Sequence, residues 1–344
     1  MAITKNPDFP VQTAKEDVPV LYTASSIKPK TMANPSRRLT LKIPGSTSNL
    51  GPGFDACALA LDVNCRLTFD LLEENDPNVP LITFSGSIAK SSRPEDAGNL
   101  IYTMMSELWK DDKNLLKRIR INMDSDIPLG AGLGSSAAAI LGALWASNFF
   151  KDRIPTTGSL LAQATNLQGH SESLAASLLG KFVIAARSAF KNTIIARQHE
   201  WPANWRTLFV VPKYRLRTSS SRAVLPTQVP YPDAVANIQR TALLVSAVAS
   251  CDENTLKEAL NDRIHESYRE KLIPEFASLK QSLVNQPILG CVLSGGGPAM
   301  LVIVTDKHKD AMIKHLKAWA ENEAQPPLIL DIPVATQGIQ EVIS

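Results

Sequence analysis

Alternation begins abruptly at Leu39. The stretch Leu39-Thr40-Leu41-Lys42-Ile43 sets apolar and polar side chains in turn, which is the period of a half-buried strand. A second extended stretch covers residues 63–72, and 119–123 alternates again. Between them, 99–109 carries Ile101, Met104, Met105 and Leu108 at helical spacing. Further along, the pattern predicts helices over 157–166, 234–249, 254–260, 274–284 and 307–319. It predicts strands over 178–186, 208–211, 288–293 and 299–304, with short strands at the end. Residues 1–38 are punctuated by Pro and Ser without a period and read as a flexible tail. Strands and helices mixed through two halves predict an α+β protein with domains over 39–200 and 201–344.

Composition narrows this picture only a little. The chain has 344 residues and a formal net charge of +3, with no dense Lys/Arg stripe interleaved with aromatics, so no nucleic-acid partner is expected. Cys57, Cys65, Cys251 and Cys291 form no C-x-x-C pair and read as buried reduced thiols. No apolar run of roughly 18 residues occurs, so no membrane partner is expected, and the expected location is cytoplasmic.

The most informative segment runs from Pro128 through Leu129-Gly130-Ala131-Gly132-Leu133-Gly134-Ser135-Ser136 into small helix formers. Glycines let a chain turn tightly enough to point several N–H groups one way, and a following helix adds its own unpaired N–H groups. Ser135 or Ser136 can also offer a hydroxyl to phosphate or to Mg²⁺. No Lys follows the glycines, which excludes a Walker A loop, and Ser135 stands where a dinucleotide fingerprint needs Gly. A glycine-rich helix start used only for close packing is the other reading of this segment. If the loop holds phosphate, a bulky side chain at Gly132 is expected to block the phosphates without unfolding the protein.

This loop resembles that of the GHMP kinases. Two more segments carry the resemblance: Pro44-Gly45-Ser46-Thr47-Ser48-Asn49-Leu50-Gly51-Pro52-Gly53-Phe54-Asp55, and Leu293-Ser294-Gly295-Gly296-Gly297-Pro298. The likeness is to the homoserine kinases within the family and covers roughly residues 38 to 340; segments 221–226 and 262–269 add to it. It implies the two-domain GHMP kinase fold. The N-terminal domain would contain a left-handed β-α-β unit, an exception to the usual rule, and the C-terminal domain would be a ferredoxin-like α/β sandwich. It implies ATP and Mg²⁺ as cofactors. Pro128, Gly130, Gly132, Leu133, Gly134, Ser135 and Ser136 would bind the nucleotide, with Asn99 near the base.

The resemblance also implies an amino-acid site. Asp55 would meet the ammonium of a hydroxy amino acid, Arg222 and Arg269 its carboxylate, and Asn49 and His170 would line the same pocket. An Arg fork suits a carboxylate because it donates two parallel hydrogen bonds. Taken singly, Asn49 and Asp55 also fit a Gly/Pro turn, and the arginines fit a solvated surface. The family's Glu-Gly-His-Pro-Asp-Asn segment is here Gln168-Gly169-His170-Ser171-Glu172-Ser173. Gln168 stands at the metal-binding Glu, Glu172 at the Asp and Ser173 at the Asn, and Gly180-Lys181 replaces a Gly-Gly pair. The implied metal ligands are Ser135 and Gln168. The implied catalytic residues are Asn49, His170, Glu172 and Ser173, with Glu172 a metal ligand or a base and His170 a site or a structural residue.

The leading expectation is an ATP-dependent phosphotransferase acting on the side-chain hydroxyl of homoserine or a close analogue. The altered segment keeps two others open: elimination, cyclisation or group transfer on the same scaffold, and a non-catalytic nucleotide binder. Apart from the small-molecule substrate, self-association into a homodimer is compatible with the chain.

Overall fold

The computed structural model describes residues 37–90, 95–191 and 193–342. The expected tail therefore lies outside the described residues, except for Arg37 and Arg38, which already belong to the first strand. The N-terminal half contains β1 (Arg37–Asn49), β2 (Gly53–Leu71), β3 (Ile82–Ser85), α1 (Glu95–Leu108), α2 (Lys113–Arg118) and β4 (Ile119–Ser125). It continues through α3 (Ser135–Phe150), α4 (Thr157–Gln168), α5 (Glu172–Leu179), β5 (Phe182–Arg187) and β6 (Ile194–His199). The C-terminal half contains β7 (Trp205–Val211), α6 (Thr218–Ala223), α7 (Tyr231–Ser250), α8 (Glu253–Ala259), α9 (Glu266–Arg269) and α10 (Glu275–Ser282). It ends with β8 (Ile288–Leu293), β9 (Met300–Thr305), α11 (Lys309–Ala320), β10 (Leu328–Asp331) and β11 (Gln340–Glu341).

The first sheet is seven-stranded and is organised by the long strand β2. Its second half pairs with β4, and Cys57–Leu59 in its first half pairs with β5, so one strand serves two branches of the sheet. β3 and β4 run parallel, joined through α1 and α2 in a β-α-β unit. Helix α3 is apolar nearly all round, as a helix enclosed on every side must be. It packs on β1 and β2 and is flanked by α1, α4 and α5. That enclosure fixes the axis of α3 and so fixes where its N-terminus points.

The second sheet has the order β10-β7-β9-β8 with all pairs antiparallel. With helices between β7 and β8 and between β9 and β10, this is the ferredoxin-like arrangement. Met300, Val302 and Val304 of β9 pack toward Phe276, Leu279, Met312 and Leu316, whereas Leu301 and Ile303 join the core shared with the first half. Covering on both faces explains an uninterrupted apolar strand. After β10 the chain crosses back. The Ala335 N–H donates to the Ala60 carbonyl at 2.9 Å, and β11 pairs with β1, so residues 335–341 belong to the first half of the molecule rather than the second.

The predicted strand over 178–186 begins too early. Glu172–Leu179 form a helix, buried through Leu178, and the strand starts at Phe182. Cys57, Cys65 and Cys291 are buried free thiols pushed up to about 12 chiefly by burial, but Cys251 is exposed. Cys251 caps α7 in a left-handed conformation, which puts it at the surface end of the helix. Among the described residues no helix is long and apolar enough to cross a membrane.

Candidate active site

Three segments far apart in sequence are tied together by main-chain hydrogen bonds. The Ser46 N–H donates to the Leu133 carbonyl, the Gly295 N–H to the Ser48 carbonyl, and the Ala299 N–H to the Ala131 carbonyl, each at 3.0 Å. Ser294 Oγ donates at 2.8 Å to the Gly132 carbonyl and lies at 2.8 Å from Thr47 Oγ1. The end of β1, the glycine loop before α3 and the glycine turn after β8 therefore form one wall where the two halves meet.

Gly132 shows why the loop cannot carry side chains. Its φ is +85°, and a Cβ there would stand 2.2 Å from the Ser294 carbonyl oxygen. The glycine is thus required by the close approach of two backbones. This corrects the expectation that a bulky residue at Gly132 would act on phosphate alone, because the same side chain would separate the two halves. Gly134 caps α3 without a side-chain partner for the first turn, and Ser135, Ser136 and Ala137 line the cleft. Uncapped N–H groups at the positive end of an enclosed helix are an anion site.

The cleft continues on two sides of this helix end. One side is lined by Leu100, Leu129, Ala139, Leu216 and Thr218 with Arg215 and Arg217, a partly apolar groove edged by cations. The other is lined by Asn49, Asp55, Gln168, His170, Glu172, Ser173, Arg222 and Arg269. Gly130, Ser135 and Ser136 border both. Pro128 and Leu133 line neither; the Leu133 side chain is buried in the core and only its carbonyl serves the site. Asn99 lies on α1 beside Leu100, with its side chain outside the described residues.

The turn bearing Asn49 and Asp55 is left-handed at Asn49, Leu50, Gly51 and Asp55. Such conformations cost non-glycine residues about 1–3 kcal/mol each and persist only where surroundings dictate them. Here they are dictated several times over. Asn49 Nδ2 donates to the Gly295 carbonyl at 2.8 Å and Asn49 Oδ1 accepts from the Asp55 N–H at 3.0 Å. Asn237 and Thr241 on α7 both donate to the Pro52 carbonyl. Asn49 is therefore at the site, but its amide is spent on holding the turn.

Asp55 and Arg222 face each other across the cleft as a bidentate pair at 2.6 and 3.0 Å. Arg269 is almost fully buried and donates to the Ser221 and Gly295 carbonyls and to His265 Nδ1. Both guanidinium groups lie over the Phe54 ring, at 5.6 and 5.3 Å. Burial, and then the neighbouring Arg222 charge, lower Arg269 to about 10, which leaves it charged at neutral pH. His265 and Phe54 support this cluster without being legible as site residues. Since Arg269 can only donate, His265 Nδ1 accepts; its Nε2–H then donates to the Gly51 carbonyl at 2.8 Å. One neutral tautomer thus connects the arginine to the turn, and burial lowers the His265 pKa from its ordinary 6.5.

The altered segment is compact. His170 Nδ1 lies 3.1 Å from Glu172 Oε1, and Gln168 Nε2 donates to Ser173 Oγ at 3.1 Å and approaches His170 Nε2 at 3.2 Å. Glu172 is 1% exposed, yet among the described residues its Oε2 has no partner, and neither has Gln168 Oε1. Two unpartnered buried oxygens on a cleft wall are groups that wait for a proton or a cation. Gln168 Oε1 and the Ser135 hydroxyl suit Mg²⁺, a hard cation that takes few protein oxygens and completes its shell with phosphates and water. Among the described residues no group of three His, Cys, Asp or Glu side chains is placed to hold a metal ion. Lys181 adopts φ +66° where the family has Gly, and it pairs with Glu200.

The comparisons with known proteins agree with this geometry. The GHMP kinases N terminal domain matches residues 99–181 and the GHMP kinases C terminal domain matches 244–322. A homoserine kinase of Synechocystis is 32% identical over 267 residues, covering 78% of this chain and 86% of that protein. One from Nostoc punctiforme is 31% identical over 301 residues, covering 87% and 97%. The crystal structure of homoserine kinase from Cytophaga hutchinsonii superposes with a TM-score of 0.74 at 23% identity, covering 92% of this chain and all of that one. The mevalonate diphosphate decarboxylase of Enterococcus faecalis shares the fold with a TM-score of 0.61 at 14% identity. With its glycine loop, its two-domain cleft and these relatives, the chain belongs to the GHMP kinase family of phosphotransferases.

Proposed function

We propose that this phosphotransferase moves the γ-phosphoryl group of ATP to the side-chain hydroxyl of homoserine. The observation that carries the substrate assignment is the Asp55–Arg222 pair beside buried Arg269. A zwitterion needs a carboxylate and a guanidinium held a few ångströms apart, and here each neutralises the other until a ligand takes their place. The ammonium would exchange onto Asp55 and the carboxylate onto Arg222, with Arg269 Nη2, which has no partner among the described residues, as the second donor. The relatives named homoserine kinase support the same substrate.

ATP fits with its phosphates on the first turn of α3 and its nucleoside in the groove of Leu100, Leu129 and Ala139. Mg²⁺ would be held by the Ser135 hydroxyl and Gln168 Oε1 and would supply charge neutralisation to the phosphates. The chain's own residues do the positioning. The N–H groups of α3 hold the phosphates, Asp55 and the arginines fix the amino-acid end, and the side-chain hydroxyl is left facing the γ-phosphate. Its oxygen forms the new bond to phosphorus as the bond to the β–γ bridging oxygen breaks. Glu172 Oε2, buried and without a partner among the described residues, accepts the hydroxyl proton, with His170 Nδ1 3.1 Å from the other carboxylate oxygen.

ADP formation measured with homoserine, threonine and serine tests the assignment. Homoserine should give the highest kcat/KM, because its hydroxyl stands one methylene farther from the Cα than that of the other two. Equal or better turnover of serine would overturn the homoserine assignment.

A further inference from the structure

Helix α6 is pinned between the two glycine segments of the cleft. Just before it the Leu216 N–H donates to the Gly130 carbonyl at 3.0 Å, and within it Ser221 Oγ donates to the Gly296 carbonyl at 2.8 Å. Near its end stands Arg222, the partner of Asp55. Leu216 and Thr218 line both the amino-acid side of the cleft and the nucleotide side, so the start of α6 lies where the two sides meet. Arg217 is the residue between them.

No structural task accounts for the Arg217 side chain. Its carbonyl accepts the Ser221 N–H at 3.0 Å, but its guanidinium is exposed and makes neither a hydrogen bond nor an ion pair among the described residues. It lines the nucleotide side, and no described carboxylate lines that side with it. The other arginines of the cleft are placed differently. Arg222 and Arg269 serve the amino-acid end, and the stem of Arg215 packs over Gly130, where a Cβ would stand 2.9 Å from Arg215 Cβ. The loop from Gly130 to Ser136 contains no Lys or Arg, so it offers phosphate only backbone N–H groups and hydroxyls.

Arg217 and Arg222 are five residues apart, about 7.5 Å of rise along a helix. In an amino acid phosphorylated on a side chain of homoserine's length, five bonds of about 1.5 Å separate the carboxyl carbon from phosphorus, or about 6 Å when extended. One short helix therefore sets a guanidinium near each end of the molecule being made. We propose that Arg217 donates to the γ-phosphoryl oxygens of ATP during transfer, which rests on ATP as the phosphoryl donor. As the bond from phosphorus to the β–γ bridging oxygen breaks, its electron pair stays with ADP, and the negative charge spread over the oxygens of the moving group is met by a cation from the C-terminal half.

The test uses Arg217→Met, which keeps an apolar stem and removes the charge. Its kcat should fall about 10- to 100-fold, less than the roughly 10²- to 10³-fold loss of a water-excluded donor because this side of the cleft is open. The KM for homoserine should stay within about twofold and the melting temperature should not move, since the side chain is exposed and unpaired among the described residues. Arg217→Lys should recover part of the loss, and Lys213→Ala, at an exposed position that lines neither side, should keep native kcat. Calorimetry then compares Mg-ADP with the β,γ-methylene analogue of ATP. Arg217→Met should weaken the analogue about tenfold and ADP less than about twofold. Native kcat in Arg217→Met, equal weakening of both nucleotides, or the same loss in Lys213→Ala would each overturn the proposal. Calorimetry needs no acceptor, so selective weakening of the analogue in a protein that does not turn over homoserine would overturn the homoserine assignment and support the role of Arg217.

Discussion

Replacing Arg222 by Ala separates a structural ion pair from a substrate fork. Arg222 and Asp55 are 36% and 35% exposed in their side chains, so their pairing is well solvated. Such a pair contributes about 0.2–1 kcal/mol to stability. In the proposed complex the same guanidinium makes charge-assisted hydrogen bonds to the substrate carboxylate, each worth about 1.5–3 kcal/mol. At about 1.4 kcal/mol per factor of ten, that is a loss of roughly 10- to 150-fold in kcat/KM for each hydrogen bond removed. The carboxylate is remote from the transferred phosphoryl group and is held alike before and during the reaction, so the loss should appear mainly in KM. Arg222→Lys should recover part of it, since the charge returns without the planar fork. The assay is steady-state ADP release across homoserine concentrations, with thermal melting run in parallel. A variant with native KM and a melting loss worth about 2 kcal/mol or more would show that the pair serves the fold and not the substrate.

Glu172→Gln should lower kcat by about 10²- to 10⁴-fold while ATP still binds in calorimetry, because the substitution removes the proton acceptor and leaves the phosphate cradle intact. Gly132→Ala should destabilise the protein by about 1–3 kcal/mol in denaturant melts as well as weakening nucleotide, because its Cβ meets the Ser294 carbonyl and its backbone is left-handed. His265 is neutral and has a lowered pKa in the folded state, so it contributes stability that is present above its ordinary value of 6.5 and is lost as pH falls through the lower folded value. Native protein should therefore lose melting temperature on acidification below pH 6.5 more steeply than His265→Asn, and equal slopes would remove His265 as the cause. Asp262, with a carboxylate oxygen 3.6 Å from His265 Nε2, softens but does not reverse this trend.

How much of this was legible depends on whether the signal was local. The glycine loop and β8 could be read directly, because alternation and small residues at a helix start need no tertiary partner to be recognised. β1 was legible only as far as Ile43. Pro44 to Asn49 looks like a turn by composition, yet it continues as a strand because β2 pairs with it along its length. α5 was missed for the opposite reason: a helix buried on all sides has no polar face, so its apolar run read as part of the strand that follows. The site residues were placed by motif, but their couplings were invisible. Nothing in the chain announces that Asp55 finds Arg222 at 167 positions' distance. Nor does it announce that His265, the N-cap of α9, serves Arg269 four residues later, or that two oxygens of the altered segment stay unpartnered among the described residues.

The measurement that bears most directly on the account is identification of the phosphorylated product by ³¹P NMR and mass spectrometry after incubation with Mg-ATP and homoserine. The account predicts a phosphate monoester on the side-chain oxygen, formed in equal amount with ADP and reduced in parallel by Arg222→Ala and Glu172→Gln. ADP released with free phosphate and no ester, or no turnover of homoserine by a protein that binds both ligands, would contradict it.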